Sequence, residues 1–287
     1  SPTTPMIIAG LDSRTYGTGL TSTTVWPVTM KLNDTSYNVV DLGVAGQTAF
    51  DACLMFDQTF GLQATPNSVP MITMLWGGVN DYSFQNARQI ANSLRCMVVK
   101  AKAIGSRVVL ATEVSATGRD PNKNALNAIL RAEAYGWGVD NLAELATDPH
   151  IGADNAYQNT GCFPDGLHPG PGCEPYISTI MQNAANDLIG SNETSRHQSA
   201  AAAYQEVAGD RFLDLTGTAA QTLSLPSCVG YSLPRQVVNL GAAGATVATV
   251  NSETLAGSGA LASGAKGVFL PVPNTSGSAG CSWERTQ

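Results

Sequence analysis

The chain has 287 residues and a formal net charge of -7, and only 13% of its residues are charged. Globular proteins average roughly 25% charged residues, and disordered chains and coiled coils need more, so the composition excludes both of those classes. The acidic balance argues against a nucleic-acid partner, and no apolar run approaches the roughly 20 residues that a membrane span requires.

The charge is unevenly distributed along the chain. Residues 1–195 hold ten Lys/Arg against seventeen Asp/Glu, whereas residues 196–287 hold five of each. All of the net charge therefore lies in the first two thirds, which predicts two bodies.

The first body alternates short apolar runs with stretches of helical composition. The apolar runs predict buried strands over 6–10, 37–42, 70–76 and 107–112. Apolar residues spaced by three and four predict helices over 49–60, 84–104, 124–135 and 174–189. Such alternation predicts an α/β fold, a three-layer α/β/α sandwich on a parallel sheet. In such sheets functional residues lie just past the carboxyl ends of the strands.

The second body has a different texture. Residues 196–210 include an Ala-rich stretch that predicts a helical connector between a domain over 1–195 and one over 211–287. The last segment contains short alternating apolar runs separated by Gly/Ser/Ala turns, which predicts a small all-β, sandwich-like accessory domain.

Six cysteines contain no C-x-x-C pair, and with only three histidines in the chain we expect no metal cluster. An even count in a chain of low charge favours disulfides and an oxidising, secreted or extracellular location. Six cysteines allow 15 connectivities. Pairing neighbours in order respects the two-part division and is the predicted arrangement; six buried free thiols are the alternative. The predicted bonds are Cys53–Cys96, Cys162–Cys173 and Cys228–Cys281.

Four short motifs follow the predicted strands or precede the last helix. They centre on Ser13 after the first strand, Gly46 after the second, Asn80 after the third, and Asp165-x-x-His168 in a late loop. Each motif alone is common, since a serine after a strand is more often a helix cap. Together and in this order, over residues 6 to about 190, they resemble the SGNH hydrolases, also called the GDSL esterase/lipase family.

The resemblance implies a serine hydrolase with no metal or organic cofactor. Ser13 would be the nucleophile, His168 the general base, and Asp165 the acid that orients the imidazole. The oxyanion hole would consist of the backbone N–H groups of Ser13 and Gly46 and the side chain of Asn80. We expect activity to rise with pH as His168 loses its proton, because only neutral imidazole accepts the serine proton.

One position departs from the family pattern. The usual first motif begins Gly-Asp-Ser, and this chain has Leu11-Asp12-Ser13. The leucine removes no proton-transfer group, so the catalytic assignment stands, but it affects what is expected of the substrate. The other histidines, His150 and His197, are interpreted as solvated residues that take no part in the chemistry.

The substrate expected from the sequence is an ester with a short acyl group. We predict no long apolar lid, and we expect Tyr82 and Trp76 near a cleft. Members of the resembled family remove acetyl groups from polysaccharides or cleave simple esters, so an acetylated polysaccharide is one predicted partner. The residues also fit a thioesterase or an acyltransferase, and a non-catalytic adhesin or virion structural protein that retains the fold is the alternative of another class.

The β-module is predicted to hold the protein on a carbohydrate or a particle. Its runs 239–247 and 280–283 resemble C-terminal modules of phage tail and virion-associated proteins. Trp283 is interpreted either as a core residue or as a platform for a sugar.

Overall fold

A computed structural model describes residues 4–21, 23–63, 71–189, 197–206, 210–251, 253–274 and 280–287. The predicted domain limit near residue 195 lies outside the described residues, and the three predicted segment boundaries stay predictions. No helix in the described ranges is sufficiently long and apolar to cross a membrane.

The first body is built on a parallel sheet of five strands in the order β2-β1-β3-β4-β5. The strands are β1 Met6–Leu11, β2 Asn38–Gly43, β3 Met71–Trp76, β4 Arg107–Ala111 and β5 Asn141–Ala143. All six residues of β3 are buried, whereas β2, at the sheet edge, is partly exposed. The three-residue β5 is too short to give a sequence signal.

Helices cover both faces of this sheet, which confirms the predicted three-layer α/β/α sandwich. The helices are α1 Ser13–Tyr16, α2 Trp26–Asn33, α3 Ala49–Leu54, α4 Ala87–Ala103, α5 Asp120–Trp137 and α6 Glu174–Ile189. Helices α2 and α6 pack on one face, and α3, α4 and α5 pack on the other. The cap of α4 is a reciprocal pair in which Asn86 and Gln89 each bond the other's backbone N–H.

Two helix predictions need correction in this body. The helix predicted over 49–60 ends at Leu54, and two 3-10 turns, Phe56–Gln58 and Phe60–Gln63, complete the segment. Helix α2 was not predicted. It begins with Trp26 and Pro27, and proline at a first helical position has the backbone angle that a helix start requires.

The second body consists of two sheets that share one apolar core, which confirms its all-β character. The strands are β6 His197–Ser199, β7 Ala203–Gln205, β8 Phe212–Leu215, β9 Gln221–Ser224, β10 Arg235–Asn239, β11 Ala245–Ala248, β12 Leu255–Ala256, β13 Ala260–Leu261, β14 Lys266–Pro273 and β15 Cys281–Arg285. From β6 to β13 successive strands alternate between the six-stranded and the four-stranded sheet. The same-sheet pairs β6–β8, β8–β10, β7–β9 and β9–β11 are parallel, whereas β11–β13 is antiparallel.

The helix predicted for the Ala-rich stretch within residues 196–210 is wrong for the described part of that stretch, which contains strands β6 and β7. Strand β6 pairs with β8 and strand β7 pairs with β9, so both belong to the C-terminal sheets. Alanine favours helices only weakly, and the pairing with neighbouring strands outweighs that preference.

The structure contains three disulfides and no free cysteine among its described residues. They are Cys53–Cys96, Cys162–Cys173 and Cys228–Cys281. The first joins α3 to α4, the second closes the loop before α6, and the third lies within the second body. Each bond therefore joins segments of a single body.

Candidate active site

The carboxyl ends of the parallel strands bring three of the predicted motifs to one edge of the sheet. Strand β1 leads into Ser13, β2 into the turn that contains Gly46, and β3 into the segment that contains Asn80. The Asp165–His168 loop, which precedes α6, reaches the same edge. The five residues singled out by the sequence are therefore brought together.

The predicted nucleophile lies at the first position of the short helix α1. Asp12 caps this helix, because its carboxylate accepts a hydrogen bond of 2.9 Å from the Arg14 backbone N–H. Gly17, in a left-handed conformation, ends it after one turn. Ser13 is only 4% exposed, so its position is held by packing as well as by the cap.

A continuous chain of hydrogen bonds joins the serine to the late loop. The Ser13 Oγ atom lies 2.9 Å from His168 Nε2, and His168 Nδ1 lies 2.7 Å from Asp165 Oδ2. A carboxylate only accepts hydrogen bonds, so the imidazole proton lies on Nδ1 and Nε2 is free to accept the serine proton. This geometry can activate a serine hydroxyl.

Asp165 is held in the orientation that this chain requires. Its Oδ1 accepts hydrogen bonds from the backbone N–H groups of Leu167 and His168, at 2.9 and 2.7 Å. Partial burial alone would raise the pKa of the carboxyl group, but the bonds from the His168 side chain and from the two N–H groups outweigh it and lower that pKa to about 2. Asp165 is therefore ionised at neutral pH.

The three donors predicted for the oxyanion hole each have an N–H group that is not used within the described part of the chain. The backbone N–H groups of Ser13 and Gly46 donate no hydrogen bond to any described residue. Asn80 Nδ2 donates to the Gln47 carbonyl at 2.9 Å, which holds the amide in place and leaves its second proton for a ligand. Gly46 has φ +77, and this backbone angle explains the glycine. Lack of space does not explain it, because a Cβ at this position would meet no atom within 4 Å.

A buried charge network behind the serine was missed by the sequence reasoning. The Arg14 guanidinium lies 2.8 Å from each carboxylate oxygen of Glu113 and 3.2 Å from Asp12 Oδ2, and it stacks 4.6 Å from the Trp76 ring. Burial alone lowers the pKa of Arg14, but the carboxylates of Asp12 and Glu113 raise it by more than burial lowers it. The guanidinium therefore stays charged in the core. The available signal was the position of Glu113, which follows strand β4 as Ser13 follows β1.

The leucine that departs from the family pattern has an unusual backbone. Leu11 has φ +140, in a region that favours glycine, and its side chain is fully buried. Gly77 on the neighbouring strand end leaves the space, because a Cβ there would lie 3.0 Å from two Leu11 side-chain atoms. Leu11 therefore combines a backbone conformation that favours glycine with a side chain that fills a space in the core.

The aromatic residues expected near the cleft are core residues. Trp76 is fully buried and Tyr82 is 7% exposed, because both pack between the sheet and its helices. The exposed aromatic side chains of this region include Tyr16, Phe50 and Phe84. In the second body Trp283 is fully buried and its Nε1 donates to the Pro226 carbonyl, so the interpretation as a core residue is confirmed.

The other histidines lie apart from the serine. The His150 side chain is about half exposed, its Nδ1 lies 3.1 Å from Asp148 Oδ1, and its ring stacks on Tyr176 at 4.1 Å. The half-exposed side chain matches the prediction of a solvated histidine. The contact with the Asp148 carboxylate was not predicted. The side chain of His197 is outside the described residues.

One group of potential metal ligands occurs in the described ranges, formed by Cys228, Cys281 and Glu253. The two sulfur atoms are bonded to each other, and Glu253 accepts hydrogen bonds from the Ser227 hydroxyl and the Cys228 backbone. A disulfide offers no thiolate to a metal ion. This group therefore has a structural role, as a disulfide with a hydrogen-bonded carboxylate beside it.

The sequence matches no family model and no curated protein. Among solved structures, the chain is similar to the psychrotrophic esterase EstA from Pseudoalteromonas sp., with 15% identity, a TM-score of 0.51, and coverage of 65% of this chain and 99% of that one. It also resembles a lipolytic protein of the G-D-S-L family from Veillonella parvula, with 18% identity, a TM-score of 0.49, and coverage of 60% and 93%.

The similarity to EstA establishes the fold of about two thirds of the chain. That fold is the one expected from the resemblance to SGNH hydrolases, so the expectation is confirmed. The resemblance of the C-terminal body to phage modules stays a prediction.

Proposed function

We propose that this protein is a serine esterase that hydrolyses carboxylic esters through an acyl-enzyme. The observation that carries the proposal is the hydrogen-bond chain from Ser13 Oγ through His168 to Asp165, with distances of 2.9 and 2.7 Å. A protein that only binds or assembles has no need of a serine, a base and an orienting acid in this arrangement.

In the first step Ser13 Oγ attacks the ester carbonyl and its proton moves to His168 Nε2. The carbonyl oxygen becomes an oxyanion that accepts hydrogen bonds from the Ser13 and Gly46 backbone N–H groups and from Asn80. The ionised Asp165 stabilises the imidazolium that forms. The intermediate then collapses, the proton passes from Nε2 to the leaving alcohol, and the acyl group stays on Ser13.

In the second step water takes the place of the serine hydroxyl. His168 Nε2 accepts a proton from the water as its oxygen attacks the acyl carbonyl, and the same donors stabilise the second oxyanion. Collapse returns the proton to Ser13 Oγ and releases the carboxylic acid. Apart from the ester and the water molecule, the groups used in both steps belong to the chain.

A short acyl group on a polar alcohol is the proposed substrate class. The cleft beside Asn80 has a volume of about 240 Å³, and Ser83, Thr117 and Arg119 contribute polar groups to its lining. Polar linings suit hydroxyl-rich alcohols, so acetylated carbohydrate is the proposed natural substrate. The three disulfides support a secreted location, and the C-terminal body is proposed to hold the enzyme near such material.

The test measures hydrolysis of p-nitrophenyl acetate, butyrate and octanoate by the full chain and by the Ser13→Ala variant. We expect turnover that declines with acyl length, and a loss of about 10⁴-fold or more in kcat on replacement of the nucleophile. The matched control is Ser36→Ala, which removes an exposed hydroxyl from the turn before β2. It should retain the parent activity.

A labelling experiment gives a second readout. An alkyl fluorophosphonate should modify the peptide that contains Ser13 in the parent protein and in the control, and should leave Ser13→Ala unmodified. Turnover no faster than buffer for every ester, or equal turnover by Ser13→Ala, contradicts the proposal.

A further inference from the structure

The cleft lined by Asn80 and Asp165 contains a cation that the proposed mechanism does not use. Three loops form this cleft, and Arg119 lines it together with Asn80 and Asp165. Arg119 is half-buried and lies where strand β4 leads into helix α5. A guanidinium therefore lies in the same cleft as one of the proposed oxyanion donors.

Arg119 has spare hydrogen-bonding capacity. Its Nη2 donates to the Ser83 hydroxyl at 2.8 Å, and its side chain makes no ion pair with a carboxylate of the described ranges. A guanidinium carries five N–H donors, so most of its donors are left for a ligand.

The carboxylate of Asp165, which lines the same cleft, makes its hydrogen bonds to groups other than Arg119. Both oxygens of Asp165 are occupied, Oδ1 by the backbone N–H groups of Leu167 and His168 and Oδ2 by the His168 ring. Asp165 therefore lines the same cleft as Arg119 without a hydrogen bond or ion pair between the two side chains. Arg119 is the only cationic side chain among the described residues that line this cleft, although the whole chain has a net charge of -7.

From this geometry we infer that Arg119 is a specificity-determining residue that binds a carboxylate on the substrate. The substrate class is then an ester that carries an acidic group on either its acyl or its alcohol part, such as an acetylated acidic sugar. The inference rests on the proposed esterase function. Planar guanidinium pairs with a carboxylate through two parallel hydrogen bonds, which gives orientation as well as affinity.

Matched ester pairs test the inference and locate the acidic group. The first pair is 4-acetoxybenzoate and its methyl ester, in which the carboxylate lies on the alcohol part. The second pair is 4-nitrophenyl hydrogen adipate and its methyl ester, in which the carboxylate lies on the acyl part. For each pair the measured quantity is the ratio of kcat/KM for the acidic ester to that for the neutral ester.

The variant Arg119→Gln should lower this ratio about 10- to 100-fold in one of the two pairs, the range expected for hydrogen bonds to a charged group. Arg119→Lys keeps the charge and should lower it less. The matched control is Arg95→Gln, which removes the same charge from an exposed position on α4 and should leave the ratio unchanged. Added salt should weaken the preference of the parent protein.

Two outcomes separate this inference from the function on which it rests. If the parent protein hydrolyses the neutral esters and Arg119→Gln changes neither ratio by more than about twofold, the carboxylate site is wrong and the esterase stands. If no ester is hydrolysed, or if Ser13→Ala remains active, the proposed function itself fails.

Discussion

Leu11 lies two residues before the proposed nucleophile in a backbone conformation that glycine adopts more readily. Its φ of +140 costs about 1–3 kcal/mol for a residue with a Cβ, while its fully buried side chain contributes about 2–5 kcal/mol to stability. Burial therefore outweighs strain, which explains how a leucine is tolerated at this position.

This balance predicts an inverted order of stability for two variants. Leu11→Ala loses the packing and keeps the strain, whereas Leu11→Gly loses the packing and relieves the strain. We expect Leu11→Gly to be more stable than Leu11→Ala by about 1 kcal/mol in urea unfolding, although both are less stable than the parent. At an ordinary position the order is opposite, because glycine costs more unfolded-chain entropy.

Leu75 provides the matched control. It is fully buried in β3 and does not have a positive φ, so Leu75→Gly should be less stable than Leu75→Ala. The same order at both positions would show that the strain at Leu11 is too small to matter.

At the scale of elements, the loop that carries Asp165 and His168 has no regular secondary structure of its own to hold it. The Cys162–Cys173 bond closes this loop directly before α6, and both cysteines are buried. In the loop-closure account, closing a loop of 11 residues lowers the entropy of the unfolded chain, which stabilises the folded state by about 3 kcal/mol. The bond therefore restricts the loop that positions two of the three proposed catalytic side chains.

We predict that the double variant Cys162→Ala/Cys173→Ala loses at least about tenfold in kcat while its far-UV circular dichroism stays near that of the parent, because small misplacements of catalytic groups are costly. The control is Cys53→Ala/Cys96→Ala, which removes the bond between α3 and α4. This second variant should lose stability and keep kcat. Equal kcat losses in the two double variants would contradict a specific role for the loop bond.

For the whole molecule, the two bodies are joined by buried charges. Arg235 of β10 makes two hydrogen bonds of 2.9 and 3.0 Å to Asp187 of α6, and its Nε lies 3.2 Å from Glu206. Burial alone lowers the pKa of Arg235, but the two carboxylates raise it, so the guanidinium is charged. Gly230 adds backbone hydrogen bonds to Glu144 and to the Thr147 hydroxyl.

Arg235→Ala should therefore destabilise the whole chain by about 3–5 kcal/mol, because it leaves the buried Asp187 carboxylate without its guanidinium. The matched control is Arg88→Ala, which breaks the exposed ion pair with Glu133 and should cost less than about 1 kcal/mol. Urea unfolding of both variants measures the difference. Similar small losses in the two variants would indicate that the bodies are stabilised independently.

The sequence by itself determined the layers of the first body and the identity of the proposed catalytic side chains. Buried strands and amphipathic helices have periods that the chain shows directly, and parallel strands end at one edge, so Ser13, Gly46 and Asn80 could be brought together in advance. Asp165 and His168 are close in sequence, so the hydrogen bond between their side chains is local and can be predicted from their spacing.

Only the tertiary structure decided the contacts between residues that are distant in sequence. The Arg14–Glu113 pair spans 99 positions and the Arg235–Asp187 pair spans 48, and no local pattern marks either one. The Ala-rich stretch contains strands β6 and β7 because it pairs with β8 and β9, which lie further along the chain. Propensity and periodicity act over a few residues, whereas the pairing of buried charges and the order of strands depend on which distant surfaces exclude water together.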